Sequence, residues 1–190
     1  MAGVDEARER LIYKTTAPAD WRDQAGLWVS DDPVAFLSRA TQGHASGLVV
    51  YVSGADLGQR KKAVELCEAL ARHPLSGPLP LVAVVSQRHR GLLASLAEAG
   101  VRWVVFRPAG ARLPVVPPPE HPGQSLAQVL LDICPFLNHQ PVDDTHELAY
   151  CGAYLNRLVL GRDRLLELCE HPSHQACPYF LAPRQAENGN

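Results

Sequence analysis

The stretch Pro80-Leu81-Val82-Ala83-Val84-Val85-Ser86 is apolar on five consecutive residues, without the alternation of a strand that has one wet face. Such a run reads as a strand buried on both sides. The same signature recurs upstream in Leu48-Val49-Val50-Tyr51-Val52-Ser53, which ends at Gly54, and downstream over residues 101–106. Helical patterns separate the three runs. Residues 57–73 place Ala63, Leu66, Cys67 and Leu70 at helical spacing, with Arg60, Lys61, Lys62 and Glu65 free to face water, before Pro74 and Gly77 close the segment. Leu92, Leu93, Leu96 and Ala97 form a second apolar stripe, which Gly100 stops. Buried strands alternating with helices predict an α/β domain around a parallel sheet covered on both faces.

The flanks extend this pattern. Leu11-Ile12-Tyr13 and Leu27-Trp28-Val29-Ser30 read as earlier strands. Asp31-Asp32-Pro33 reads as the start of a helix through Val34, Phe36 and Leu37, because aspartate accepts from free amides and proline fits the first turn. Residues 110–124 carry five prolines and read as a loop; residues 125–137 put Leu126, Leu130, Ile133, Cys134 and Leu137 on one face of a last helix. The expected organisation is an α/β domain over 1–124, then a last helix and a cysteine-rich α+β tail over 125–190.

The stretches Leu66-Cys67-Glu68-Ala69-Leu70-Ala71-Arg72-His73-Pro74, Leu79 to Ser86, Ala97-Glu98-Ala99-Gly100 and Phe106-Arg107-Pro108 resemble the third helix through fifth strand of a bacterial response-regulator receiver domain. The resemblance implies a flavodoxin-like, doubly wound sheet over residues 11–137. A receiver holds Mg²⁺ with an acidic pair and accepts phosphate on an aspartate at the end of the third strand, where metal and cation neutralise the phosphoryl oxygens. Here that position falls on Tyr51 or Val52, neither able to form an acyl phosphate. Ser86 matches the hydroxyl position, and Arg107 stands where a lysine is expected. Asp31 and Asp32 follow the second strand and read as a helix cap, and Asp56 lies just past the third. The resemblance therefore implies a degenerate receiver that binds partners without being phosphorylated.

The second informative feature is a cysteine quartet. Cys134, Cys151, Cys169 and Cys177 lie in the last third of the chain, whereas Cys67 sits on an apolar helix face and reads as core. The charged start Met1-Ala2-Gly3-Val4-Asp5-Glu6 lacks an apolar segment, so a cytoplasmic location is expected, where thiols stay reduced. A thiol quartet there points to a metal or cluster. The spacings hold no C-x-x-C knuckle of the kind structural zinc sites favour. Cys134-Pro135 and Cys177-Pro178 match the Cys-Pro pairs of ferredoxin-type sites. Residues 147–160 read as a hairpin with Cys151 at its turn, and 163–169 as a short helix ended by Pro172, with Cys177 in the loop beyond. Cys134-Pro135-Phe136-Leu137, Tyr150-Cys151, Leu168-Cys169 and Cys177-Pro178 resemble small cysteine-rich tails of bacterial signalling and redox proteins, which implies a [4Fe–4S] cluster on the four cysteines. Zn²⁺ on the same thiolates, or four cysteines that merely pack, stay open. His171 and His174 are candidate substitute ligands, ahead of His139 and His146; Tyr150, Tyr154, Tyr179 and Phe180 are candidate shielding residues.

With 46% hydrophobic residues and a net charge of -2, the composition is that of a globular domain without the basic footprint of a nucleic-acid binder. No run is long and apolar enough to span a bilayer. No phosphate-binding glycine loop, nucleophile elbow or zinc-protease helix is present. The expectation is a non-enzymatic regulatory protein with a protein partner or a second copy of itself, binding neither nucleic acid nor membrane. A zinc-stapled adaptor and an iron–sulfur accessory subunit of a redox enzyme are the alternatives.

Overall fold

The computed structural model describes residues 9–15, 26–52, 56–108, 123–155 and 157–184. They group into two compact units, one of residues 1–87 with 95–126 and the other of 88–94 with 127–190.

The first unit is α/β. Five strands run parallel: β1 (Glu9–Tyr13), β2 (Leu27–Ser30), β3 (Ala45–Tyr51), β4 (Leu81–Val85) and β5 (Trp103–Phe106). A two-residue strand, β6 (Gln124–Ser125), adds antiparallel to β5. The sheet order is β2-β1-β3-β4-β5-β6. An order of 2-1-3-4-5 for the parallel strands is compatible with a flavodoxin-like fold. Every residue of β4 is buried, as its unbroken apolar run requires. Ile12, Val29, Val49 and Val84 join in one apolar cluster, against which Leu27, Tyr51 and Val105 pack.

Helices connect the strands. Asp32 caps α1 (Pro33–Ala40), its carboxylate accepting from the Val34 amide at 2.9 Å, so the aspartate-proline start performs the expected role. Phe36 of α1 packs its ring on Tyr13 and Trp28. Asp56 caps α2 (Leu57–Arg72) by accepting from the Gln59 amide at 2.9 Å. Ala63, Leu66, Cys67 and Leu70 are its buried face, as their spacing predicts. Arg60 departs from expectation: it is buried rather than solvated. In α3 (Arg90–Glu98), Leu92, Leu93 and Leu96 are buried, but Ala97 is exposed and Ala99 takes its place inward. Gly100 follows at φ +89°, and a Cβ there would lie 2.8 Å from that of Ala71, so only glycine ends the helix at this point.

Three expectations about the later chain need correction. The helix expected over 125–137 is shorter, α4 (Leu126–Asp132), because the residue before a proline resists helical geometry and Pro135 follows Cys134. Cys134 therefore lies beyond the helix and not on its inner face. Residues 137–141, which showed no strand pattern, form β7 (Leu137–Pro141). It pairs antiparallel with β8 (Glu147–Cys151), which pairs with β9 (Leu158–Val159), so the hairpin is the edge of a three-stranded sheet, and Cys151 ends a strand instead of sitting at the turn. Residues 16–25, 53–55 and 109–122, which include Gly54 and most of the proline-rich segment, lie outside the described residues. Among the described residues no helix is long and apolar enough to cross a membrane.

Leu70 has no solvent exposure. Leu70→Ala is expected to lower stability by about 2–5 kcal/mol, read as a reduced denaturant midpoint. An unchanged midpoint would show that α2 is not part of the cooperative core.

Candidate functional site

The carboxy-terminal edge of the sheet carries a set of side chains unlike a phosphoacceptor site. Lys14, just after β1, holds its ammonium 5.4 Å from the centroid of the Tyr51 ring at the end of β3. The next residue, Val52, is buried. Burial lowers the pKa of Lys14. The ammonium over the ring is a cation–π contact at the end of the sheet. Ser86 follows β4 and is half-buried, while Arg107 follows β5, is exposed, and donates its amide to the Val85 carbonyl at 2.8 Å.

The four late cysteines, by contrast, come together inside the second unit. Cys134, Cys151, Cys169 and Cys177 are all reduced and all buried, at 6 to 8% exposure. They line one largely apolar pocket with Phe136, Leu160, Leu168, Tyr179 and Phe180 among its walls. Each reaches it by a different local device. Cys134 follows α4, and its amide donates to the Cys169 carbonyl at 2.8 Å, which ties two cysteines together through backbone. Pro135 contributes no amide, and the Phe136 amide instead donates to the Cys134 sulfur. Cys151 ends β8 opposite Leu137 of β7 and Leu158 of β9, and the Gly152 amide donates to the Phe136 carbonyl at 2.8 Å.

Cys169 closes a π turn, Leu165–Cys169, that continues the short α5 (Arg162–Arg164); the Glu170 amide reaches back five residues to the Leu165 carbonyl at 2.8 Å. Such turns widen a helix by one residue and re-aim the side chains that follow. Cys177 is the junction between a 3-10 turn, Pro172–Ala176, and α6 (Pro178–Leu181). Its carbonyl accepts from the Phe180 and Leu181 amides, both at 3.0 Å. Pro172 thus opens a turn instead of merely ending the preceding helix.

The electrostatics follow from burial. Desolvation raises the Cys169 thiol to about 11, and the neighbouring Cys134, Cys151 and Cys177 push the same way, against the Arg164 guanidinium. Cys134 is also raised, first by burial, with the Phe136 amide pulling down and Cys151 and Cys177 pushing up. The four sulfurs are close enough to feel one another's charge. Cys67 is a different case: it stands apart on the buried face of α2, raised to about 12 by burial alone, the behaviour of a packed thiol.

The pocket encloses a void of about 10 Å³, close to the room one water-sized sphere needs. Among the described residues no group of three or more His, Cys, Asp or Glu is arranged to hold a single metal ion. Among the described residues Arg164 is the one of fixed charge in the pocket wall, and its guanidinium lies 5.6 Å from the centroid of the Tyr179 ring, which packs on Tyr154 at 5.0 Å. Phe136 and Phe180 meet edge to face at 6.1 Å. Tyr179 and Phe180 therefore occupy the shielding positions expected of them, whereas Tyr150 and Tyr154 are not in the wall.

The candidate histidines separate. His174 is 3% exposed and lines the pocket. His171 is exposed, and its Nδ1 accepts from the Ser173 amide at 3.2 Å. His146 is exposed in the turn after β7, where Asp143 accepts from the Thr145 and His146 amides at 2.8 Å each; these bonds, the Thr145 amide first, hold the Asp143 carboxyl well below the usual range. His139 stacks on His89 with ring centroids 3.7 Å apart. His89 itself had no assigned role in the sequence: its Nδ1 accepts from the Leu92 amide at the start of α3, and its Nε2 meets Glu147 at 3.1 Å. A histidine as helix cap leaves no mark in the hydrophobic pattern that would reveal it.

Metal binding by these thiols would release protons, and burial keeps Cys134 and Cys169 protonated to higher pH than usual. The apparent affinity for cobalt(II), followed by thiolate-to-metal absorption, should rise with pH from 6 to 9, by up to about tenfold per unit for each proton released. A flat profile would refute metal binding by these thiols. A scan of protein-family models finds no match to this chain, and a search of curated proteins finds none either.

Proposed function

We propose that this chain is a non-enzymatic regulatory protein: a degenerate, receiver-like doubly wound domain that binds a protein partner, joined to a tail whose four cysteines hold a [4Fe–4S] cluster. The observation that carries the proposal is the convergence of four reduced, buried cysteines around one apolar void. Apolar side chains, among them Phe136, Leu160, Leu168 and Phe180, line the same pocket and would keep water from a group bound there. The donor set fits as well: thiolates suit iron–sulfur clusters, and an amide donating to a ligand sulfur, as Phe136 does to Cys134, tunes them.

Bound there, such a cluster supplies one-electron redox chemistry and sensitivity to oxygen. The chain's own residues hold it through Cys134, Cys151, Cys169 and Cys177, exclude water with Phe136, Tyr179 and Phe180, and offset its negative charge with Arg164. A tail of about sixty residues with short elements gains much of its stability from such a staple, so loss of the cluster would loosen it and alter what the protein can bind. The receiver-like half of the proposal is supported by the strand order, with the Lys14–Tyr51 cation–π contact at the end of the sheet.

Anaerobic purification should yield a brown protein with about four iron and four sulfide per chain. Cys→Ala at position 134, 151 or 169 should abolish iron retention, while Cys67→Ala should retain it. One zinc per chain with no sulfide would replace the cluster by the zinc-stapled adaptor. Incubation with acetyl phosphate and Mg²⁺ should leave the mass of the chain unchanged; a gain of one phosphoryl group would restore a working receiver.

A further inference from the structure

The cysteine pocket contains a fifth donor. His174 is buried at 3% exposure and is part of the pocket wall. Its Nδ1 lies 2.9 Å from the His171 carbonyl. A carbonyl can only accept, so Nδ1 carries a proton and Nε2 is the nitrogen that could coordinate. No hydrogen-bond partner for Nε2 is found among the described residues. The Phe180 ring meets the imidazole edge to face at 5.1 Å and restricts its rotation. Metal-ligating histidines commonly tie one ring nitrogen to a backbone carbonyl and coordinate through the other, and His174 has the first half of that arrangement in the wall of the cysteine pocket. His174 also belongs to the same turn as Cys177: its carbonyl accepts the Cys177 amide at 3.0 Å. The two donors reach the pocket from one rigid piece of backbone.

We infer that His174 is a reserve ligand of the cysteine pocket, placed to take over the coordination position of Cys177. This inference rests on the iron–sulfur site proposed above. In the exchange the bond from the Cys177 sulfur breaks and a bond from His174 Nε2 forms. A neutral imidazole in place of a thiolate makes the ligand set one charge less negative, which raises the reduction potential of the bound group. Anything that withdraws Cys177, such as alkylation or oxidation of its sulfur, would then alter the site without emptying it. The three other cysteines have no such substitute in their own turns.

The test compares Cys177→Ala with the double variant Cys177→Ala/His174→Leu in full-length protein purified without oxygen. Cys177→Ala should keep at least half of the iron and sulfide of the unmodified chain, and its reduced form should show a nitrogen coupling in pulsed EPR that shifts when histidine is labelled with ¹⁵N. The double variant should lose iron at least tenfold more completely. Equal iron loss in the two variants, or retention in Cys177→Ala without a nitrogen coupling, would overturn the inference. Iron and sulfide analysis of the unmodified chain judges the cluster separately. If that chain holds no sulfide, cobalt(II) titration of the same pair decides: tighter binding by Cys177→Ala supports the reserve ligand, and equal binding refutes it. Cys177→Ser replaces the alanine variant in both comparisons if the latter does not fold.

Discussion

The bond from the Cys134 amide to the Cys169 carbonyl is the contact on which the cysteine pocket depends. It joins the end of α4 to the end of the π turn, two segments 35 residues apart in the chain, and it does so through backbone, with no demand on side-chain identity. Burying an amide and a carbonyl without each other would cost both groups their hydration, so the pairing is close to obligatory once Cys134 and Cys169 leave water. The other two cysteines are positioned relative to this pair by further main-chain bonds: Cys151 through the register of β7 and β8 and the Gly152–Phe136 bond, Cys177 through the 3-10 turn that follows the π turn. The sulfurs are placed by secondary structure, and burial makes Cys134 and Cys169 costly to ionise.

The same logic explains how much could be read from the sequence. The buried strands were plain because Leu81–Val85 and Leu48–Val50 are apolar on consecutive residues, a pattern that few other structures tolerate. The caps at Asp32 and Asp56 follow from carboxylate chemistry next to a helix start, although only Asp32, followed by proline, announced itself. β7 was invisible for the opposite reason. Leu-Asn-His-Gln-Pro has one apolar residue, and it becomes a strand because β8 offers it a partner, a tertiary fact that periodicity does not carry. The early end of α4 was legible in principle, since Cys134 precedes a proline, but the apolar spacing of Ile133 and Leu137 outweighed that signal.

At the site, the count and chemistry of the cysteines pointed to a shared pocket, and the spacings could not say how the four meet. Nothing in the string distinguishes His171 from His174; both flank the same turn. Their fates diverge because the 3-10 turn uses His171 as its cap, which turns that ring outward, and directs the residue three positions on toward the pocket. Cys67 was separable from the quartet at once, since a helix face of Ala63, Leu66 and Leu70 already accounts for it.

The π turn before Cys169 bears on which changes the tail can absorb. A helical residue advances by about 100° around its axis, so deleting one position between Leu165 and Leu168 would swing the Cys169 sulfur out of the pocket wall even if every remaining residue kept its preferred conformation. Substitution in that segment leaves the arc intact. In this part of the chain, length is therefore held more tightly than the identity of each residue.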